Sequence, residues 1–277
     1  MSSWKVNKSA PRANPLKVTY NAGTFTDKSQ PATVVSAYYT LDSKNSEETY
    51  KKWIRAFLES CGSYLVFFTE PKHLDFITEC RGAYVDKTKI ILLDKSEWTA
   101  STKFADEFWQ AQHKIDPERR KVNHSPELYK IWYEKKEFVL RAIELNPFQH
   151  TDFVWTDAGC VRSEPPPPLT HYPNPNKIPT DRMLLLNIEP FLEGDTDFKN
   201  VNRIGGTILA ASAPTWRTWS EKYDSVLESY VKANRFVGKD QSIMASITME
   251  APELISLVKP QDSTVSKWFY LLIYLTQ

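Results

Sequence analysis

Apolar runs alternate with helix-forming segments in the first third of the chain, and this alternation restricts the fold more than any other feature. The runs ATVVSAYYT (32–40), SYLVFFTE (63–70) and KIILLDK (89–95) have the length and composition of buried strands. SEETYKKWIRAFLES (46–60) begins with a capping serine and carries its large apolar residues on one helical face, and a short helix is predicted over 74–79. Strands and helices at this spacing predict parallel βαβ units with right-handed crossovers.

The second half of the chain continues the alternation after a proline-rich interruption. SPELYKIWYEKKEFVLRAIELNP (125–147) is the clearest helix, because a capping serine and a proline open it and a proline ends it. EPPPPLTHYPNPNKIP (164–179) contains seven prolines in sixteen residues, so it cannot lie inside a sheet. We therefore predict an α/β fold, with a mostly parallel central sheet flanked by helices and a proline-rich loop insertion. Residues 31–277 form a single domain in this interpretation, and residues 1–30 form a mobile arm.

Composition excludes several classes of protein. The net charge of +1 gives no electrostatic footprint for nucleic acid, so we expect no nucleic-acid partner. Three cysteines at wide spacing argue against a disulfide scaffold and fit a reducing compartment. No secretory signal is visible, and the longest apolar run (268–275) is too short to cross a bilayer. These features predict a soluble, cytoplasmic protein without a transmembrane segment.

Chemically reactive side chains follow the predicted strands. The stretch TDFVWTDAGCVR (151–162) places a bare carboxylate, Asp157, at the end of an apolar strand, where a parallel sheet binds ligands. Gly205 and Gly206 open the backbone near the start of another strand, and Asp240 precedes a helix. Taken singly, the acids are typical caps and the glycines are typical of a bulge or tight turn. Their combination favours a shared site.

The order of these segments resembles that of GT-A glycosyltransferases. In glycogenin-like enzymes and lipopolysaccharide galactosyltransferases, an Asp-x-Asp strand end precedes an Asn-x-Gly strand, a Trp-bearing helix and Asp-Gln-Asp. The chain is still more similar to the HtrL/YibB family, through TVVSAYY, YKIWYEKKEFVLRAIELNPFQHTDFVWTDAGCVR and GGTILA…GKDQSIM. The resemblance covers about residues 33–250, and it implies a GT-A-like, Rossmann-type fold with a nucleotide-sugar site.

The resemblance also implies a nucleotide-binding role for several residues. Ser36, Ala37 and Tyr38 on the first strand and its loop inherit the contact with the nucleotide base. Asp157 takes the position that contacts the ribose or a divalent ion beside the diphosphate. Mg²⁺ and Mn²⁺ prefer carboxylate and phosphate oxygens, so Asp157 is the expected metal ligand.

Catalysis is assigned to a second set of residues by the same resemblance. Asp240 and Gln241 lie where the GT-A group places the acid near the acceptor hydroxyl or the transferred sugar. Asp240 would act as a general base, or either residue would stabilise an oxocarbenium-like sugar. Gly205 and Gly206 would let the acceptor or sugar approach the backbone closely.

The sequence departs from the larger GT-A pattern at the metal site. Gly159 replaces the second acid of Asp-x-Asp, and no histidine follows His171 to complete a metal shell. Lys135 and Arg162 are therefore alternative groups for neutralising the diphosphate, although Lys135 also fits a solvated helix face. A literal Asp-x-Asp at Asp195 and Asp197 has no strand leading into it and fits an acidic loop. The other four histidines share no metal-like spacing and are predicted at the surface: His73, His113, His124 and His150.

The leading functional hypothesis is a glycosyltransferase that moves a sugar from a UDP- or GDP-sugar to a glycan, lipid or protein acceptor. A second hypothesis is a noncatalytic glycan- or protein-binding module on the same fold, which the missing second acid supports. A nucleotidyltransferase ranks third, because that class usually surrounds its metals with two carboxylates. A Ser-His-Asp hydrolase ranks last, because the chain contains no Gly-x-Ser-x-Gly.

Overall fold

A computed structural model describes residues 13–42, 45–261 and 266–277. Within these residues the strands are β1 (Thr33–Tyr38), β2 (Leu65–Thr69), β3 (Thr88–Leu92), β4 (Asp152–Thr156), β5 (Met183–Asn187), β6 (Ile204–Ser212) and β7 (Ile255–Val258). The α-helices are α1 (Glu47–Ser60), α2 (Leu74–Arg81), α3 (Thr99–Lys103), α4 (Asp106–Ile115), α5 (Pro126–Leu145), α6 (Ala213–Lys232), α7 (Asp240–Glu250) and α8 (Tyr270–Tyr274).

The strands form one mixed sheet in the order β3-β2-β1-β4-β6-β5-β7. β1 pairs in parallel with β2 and β4, β2 with β3, and β5 with β7, whereas β6 runs antiparallel to both of its neighbours. The predicted α/β fold with a mostly parallel sheet flanked by helices is confirmed. The reversed direction of β6 brings its first residues to the carboxyl end of β4, where the backbone N–H of Asp157 donates to the carbonyl of Thr207 at 2.8 Å.

Helix-capping residues set the ends of α1 and α5. Ser46 accepts a hydrogen bond from the N–H of Thr49 and opens α1, and Ser125 does the same for Leu128 at the start of α5, each at 3.2 Å. A left-handed Asn146 ends α5. α5 then returns directly to β4, so its first half extends beyond the carboxyl edge of the sheet.

Alternating strand residues divide the core into two layers. Val35 and Trp155 pack on one face of the sheet against α5, α6 and α7. Val34 and Val154 point to the opposite face, where α1 and α8 cover them. This two-residue period is what a sheet buried on both faces requires, and it gives every strand near the site a fixed orientation.

Two segments outside the helices and strands lie against the sheet. The proline-rich segment 164–179 connects β4 to β5 as an insertion, and Tyr172 in its centre is buried. The described part of the predicted arm also has packing partners, because Tyr20 bridges to Leu257 of β7 and Lys28 pairs with Asp152 at 2.6 Å. The mobility of the arm stays a prediction, and its residues 1–12 lie outside the described residues. None of the helices described here is long and apolar enough to cross a membrane.

Candidate active site

An open cleft of about 380 Å³ lies beyond the carboxyl ends of β1 and β4. One side of it is a single face of α5, because Leu128, Ile131, Trp132 and Lys135 follow helical spacing and all line the cleft. The remaining lining comes from the end of β1, from α1, from the segment before α5 and from the turn after β4, including Tyr38, Leu41, Tyr50, Val122, His124, Asp157 and Arg162. The cleft therefore lies at the edge of the sheet where the strand pattern predicts ligand binding.

A buried lysine connects three distant parts of the chain at the inner end of this cleft. The Lys135 Nζ lies 3.3 Å from Asp157 Oδ1 and 3.1 Å from Asp240 Oδ2, and it donates a 2.7 Å hydrogen bond to the carbonyl oxygen of Gly206. The contacts with the two acids are ion pairs and the contact with Gly206 is a hydrogen bond, so Lys135 has one partner in each of the three segments. The structure thus brings together Asp157, Asp240 and Gly206, which the sequence assigned to one site.

The charged groups in this cluster shift one another's pKa values. Burial lowers the pKa of Lys135, but attraction to Asp157 and Asp240 outweighs burial, so the pKa lies above the usual lysine value. Burial is the largest influence on Asp157 and raises its pKa, repulsion by Asp240 adds to the rise, and Lys135 and Trp155 oppose it. When all three groups are ionised, the cluster carries one net negative charge. Lys135 therefore has no uncompensated charge for a diphosphate, contrary to one of its predicted roles.

The two acids of the cluster differ in their access to the cleft. Asp157 keeps 32 % of its side-chain surface exposed, and no described residue forms a hydrogen bond with its Oδ2. Its Oδ1 is fixed by a 2.7 Å hydrogen bond from the indole N–H of Trp155. Asp240 is only 7 % exposed and lies behind Lys135, next to a small cavity of about 10 Å³ lined by Trp216 and other aromatic residues. Asp157 thus presents an oxygen to a ligand, whereas Asp240 contacts Lys135.

The predicted metal site does not fit a divalent ion held by the protein. Among the described residues there is no group of three or more His, Cys, Asp or Glu side chains that could hold a metal. The Lys135 ammonium occupies the space between the two carboxylates, and Asp240 Oδ1 accepts the backbone N–H of Gln241 at 2.8 Å. One carboxylate oxygen, Asp157 Oδ2, is left, which is fewer ligands than Mg²⁺ or Mn²⁺ needs from a resident site.

Arg162 supplies a positive charge at the mouth of the cleft. Its guanidinium carbon lies 4.2 Å from the ring centroid of Trp53 and 4.9 Å from that of Phe269, so two aromatic rings hold the group. The Arg162 Nε donates to the carbonyl of Gly159 at 2.9 Å. Arg162 makes no ion pair with a carboxylate of the described residues, and its charge remains available to a ligand.

The three residues predicted to contact the nucleotide base separate in the structure. Ala37 and Tyr38 line the cleft, and burial, aided by the nearby Glu47, raises the pKa of the Tyr38 phenol to about 12. Ser36 does not line it. The Ser36 hydroxyl is fully buried and donates to the carbonyl of Thr156 at 2.6 Å, which links β1 to β4. Depth along the strand explains the difference, because Tyr38 is the last residue of β1 and Ser36 lies two residues further into the sheet.

Gly205, Gly206 and Gln241 face different parts of the structure. A Cβ on Gly206 would lie 3.0 Å from Asp240 Oδ2, so a larger residue would force this carboxylate to move by a few tenths of an ångström. A Cβ on Gly205 would point to the other face of the sheet, 3.1 Å from Leu186. The Gln241 amide donates to the carbonyl of Ile204 at 2.7 Å. Gly205 and Gln241 are therefore not part of the cleft surface, and the predicted sugar contact and catalytic role have no support from their positions.

The alternative Asp-x-Asp pair and the remaining histidines have other surroundings in the structure. Asp195 accepts two 3.0 Å hydrogen bonds from Arg203, and Asp197 pairs with Lys199, as expected of an acidic loop. The prediction of surface histidines is wrong in part. His73 and His150 are 1 % and 7 % exposed.

The sequence prediction missed the α5 face as a functional surface. Sequence assigned no role in the site to Leu128, Ile131 and Trp132, but these side chains line the cleft. The signal was available, because Lys135 continues the same helical face and a core stripe rarely contains a lysine. His124, which also lines the cleft, was missed because nothing in its local sequence predicts a partner.

The structure is that of an α/β protein with an open cleft at the carboxyl edge of its sheet. The chain belongs to the HtrL_YibB family, which is described as a bacterial protein of unknown function and matches residues 32–275. The resemblance to the HtrL/YibB family is thereby confirmed. No curated protein sequence matched the chain.

Solved structures with a similar arrangement are distant. Mouse xyloside xylosyltransferase 1 in its apo form matches with a TM-score of 0.47 at 13 % identity, covering 82 % of this chain and 84 % of the other. The PaToxG glycosyltransferase matches with a TM-score of 0.35 at 10 % identity, covering 80 % and 69 %. 4-Diphosphocytidyl-2C-methyl-D-erythritolsynthase from Anaerococcus prevotii matches with a TM-score of 0.41 at 10 % identity, covering 89 % and 97 %. Similarities of this size do not assign a substrate.

Proposed function

We propose that the protein is a glycosyltransferase that moves a sugar from a UDP- or GDP-sugar to a carbohydrate-bearing acceptor. The observation that carries the proposal is the fixed carboxylate of Asp157. Lys135 and Trp155 hold one of its oxygens, and the other faces a cleft with a free cation at its mouth. A sugar diphosphate needs both features, because it has hydroxyls that donate hydrogen bonds and a leaving group that gains negative charge.

Arg162 is the residue proposed to bind the diphosphate. A guanidinium presents a planar set of donors that matches phosphate oxygens, and the two flanking rings hold its plane in advance. Breaking the bond between sugar and diphosphate leaves extra negative charge on the leaving oxygens. A cation already fixed beside them stabilises this charge without having to reorganise.

Asp157 is proposed to bind the transferred sugar or the ribose. Its Oδ2 accepts hydrogen bonds from ligand hydroxyls, and its position depends on Lys135. Asp240 is a positioning residue, because it contacts Lys135 and not the cleft. This assignment replaces the catalytic role that the resemblance gave to Asp240.

The remaining surface of the cleft fits the rings of such a ligand. Tyr38, Tyr50 and Trp132 offer aromatic groups on different sides, and the volume lies within the usual range for small-molecule sites. No step in this proposal passes through a metal ion, because the cluster around Lys135 offers too few free ligands.

The experiment is a panel of UDP- and GDP-sugars with the purified protein, with and without Mn²⁺, in which the release of nucleoside diphosphate is measured. We expect turnover with at least one donor, and a loss of about a hundredfold or more in Asp157→Asn. Asp86→Asn, an exposed acid far along the chain from the cleft residues, is the matched control and keeps full activity. A folded protein that binds glycan but neither binds nor consumes any nucleotide sugar would contradict the proposal.

A further inference from the structure

A histidine that lines the cleft is paired with a buried acid, away from the Lys135 cluster. His124 Nδ1 lies 2.7 Å from Asp116 Oδ2, and the same oxygen accepts the hydroxyl of Tyr129 at 2.6 Å. Asp116 Oδ1 accepts the backbone N–H of Glu118 at 2.7 Å. Asp116 is only 2 % exposed, and both of its oxygens have hydrogen-bond partners within the protein.

The position of Asp116 determines which nitrogen of His124 carries the proton. Burial raises the pKa of Asp116, but the hydrogen bonds from His124, Tyr129 and the backbone outweigh it, so the pKa lies below its usual value. An ionised carboxylate can only accept, so Nδ1 must be the donor. In the neutral ring, Nε2 then carries a lone pair and accepts a hydrogen bond. The His124 ring packs nearly perpendicular to the ring of Trp132, with 5.1 Å between the ring centroids.

His124 lies at the outer end of the cleft. It precedes α5, and Lys135 lies nine positions after Pro126 on this helix, a rise of about 13.5 Å. Apolar side chains from three segments line the same cleft: Leu41 after β1, Val122 before His124, and Leu128 on α5. A flat ring with an edge that donates a hydrogen bond fits these surroundings better than a charged group does.

We propose that His124 recognises the base of the nucleotide by accepting a hydrogen bond from a ring N–H. This inference rests on the proposed function. Uracil and guanine present such an N–H on their pairing edge, whereas the corresponding ring nitrogen of cytosine and adenine carries a lone pair, which faces the lone pair of His124 unfavourably. Asp116 is the positioning residue that selects this specificity, because it fixes the acceptor form of the imidazole.

The test compares the affinities of UDP, GDP, CDP and ADP for the full chain by isothermal titration. Wild type binds UDP or GDP about tenfold more tightly than CDP and ADP, the size of one well-made hydrogen bond. His124→Gln reduces this ratio to about twofold or less, because an amide can rotate to present either a donor or an acceptor. His171→Gln, in the proline-rich loop, is the matched control and keeps the ratio.

Asp116→Asn separates recognition from a merely structural role. The new amide N–H₂ replaces Oδ2 and donates to His124 Nδ1, so the ring proton moves to Nε2 and the acceptor becomes a donor. The preference then shifts toward CDP or ADP, while the melting temperature reports the folding of each variant. A structural role of Asp116 would weaken all four nucleotides equally.

The outcomes separate this inference from the proposed function. Equal affinities for all four diphosphates, or an unchanged ratio in His124→Gln, overturn the base-recognition proposal even if sugar transfer is observed. Weakened binding of a glycan with unchanged nucleotide binding also overturns it, because the ring at His124 would then be a sugar. A clear preference for UDP or GDP without sugar transfer supports the inference and counts against the proposed function.

Discussion

Two consecutive lysines of α5 have similar partners and different surroundings. Lys135 and Lys136 are 11 % and 3 % exposed, and each is paired with two carboxylates. Lys136 contacts Glu137 and lies 3.2 Å from Asp224 on α6, with its ammonium 4.5 Å from the Tyr133 ring centroid. Lys135 points to the other side of the helix, where the cleft lies.

The comparison shows that a buried ion pair does not by itself indicate a functional site. Lys136 joins α5 to α6, and its partners belong to the packing of the two helices. Lys135 holds Asp157, whose second oxygen remains exposed to a ligand. The exposed oxygen, not the buried charge, is what distinguishes the two clusters.

Replacing each lysine by methionine separates the two clusters most strongly. Lys135→Met leaves its two carboxylates without a cation, so we expect it to lower the free energy of unfolding by about 3 kcal/mol. In Lys136→Met, Asp224 keeps its ion pair with Lys103 at 3.2 Å and only Glu137 loses its cation, so the expected loss of stability is smaller. Only Lys135→Met should also lower kcat for nucleotide-sugar turnover, by about a hundredfold, because Asp157 loses the group that positions it. Urea unfolding and initial rates measure the two effects. Equal losses of activity in both variants would contradict the distinction.

Glu134 extends the comparison to a third consecutive charged residue. It is fully buried and accepts the backbone N–H groups of Thr99 and Ala100 at 2.9 Å, at the start of α3. Burial raises its pKa from 4.5 to about 7, against the opposing hydrogen bonds. The folded state holds the Glu134 proton more tightly than the unfolded chain does. The stabilisation that results is complete below about pH 4.5 and is lost as pH rises through about 7.

The measurement is the free energy of unfolding as a function of pH for wild type and for Glu134→Gln. Wild type should lose about 3 kcal/mol relative to the variant between about pH 4.5 and just above pH 7. Activity at a fixed pH should change little, since Glu134 does not line the cleft. Parallel pH curves for the two proteins would show that Glu134 does not titrate in this range.

The paired glycines sharpen the role of Asp240. In Gly206→Ala the new methyl meets Asp240 Oδ2, so we expect the Lys135 cluster to shift and kcat to fall about tenfold or more. In Gly205→Ala the methyl meets Leu186 in the core, which costs about 1–3 kcal/mol of stability and leaves the cleft unchanged. Rates at saturating donor distinguish them. Full activity in Gly206→Ala would show that Asp240 is not needed to position Lys135.

Arg162→Lys gives the smallest expected effect. The substitution keeps the positive charge but removes the planar donors and the stacking between Trp53 and Phe269. The Kd for a nucleoside diphosphate should rise about fivefold to tenfold, and stability should change by less than about 1 kcal/mol. Isothermal titration and thermal melts measure both. Unchanged affinity would place the diphosphate away from the mouth of the cleft.

Sequence predicted the strands and helices that have strong local signals. The caps at Ser46 and Ser125, and the carboxylate after β4, are visible in short stretches of residues, and the structure has them where they were expected. The reversed direction of β6 and the strand β7 were not predicted, because neither apolar periodicity nor strand length encodes direction or partner.

Sequence indicates a candidate site residue correctly only where the residue's position depends on its own segment. Asp157 is such a residue. The roles of Lys135 and Ser36 depend on neighbours from distant segments: two acids and a carbonyl around the lysine, and the carbonyl of Thr156 beside the serine. Gly205 and Gly206 could not be told apart without the pairing partners of β6, which decide the face that each one meets.

The most direct test of the account is a crystal structure of the protein with a bound UDP or GDP at saturating concentration. We predict density in the cleft, with diphosphate oxygens within hydrogen-bond distance of the Arg162 guanidinium, ligand hydroxyls at Asp157 Oδ2, and Lys135 still paired with both acids. Density only at the opposite edge of the sheet, in the cavity lined by Lys28 and Lys87, would contradict the account. An empty cleft in a crystal that tolerates the soak would contradict it as well.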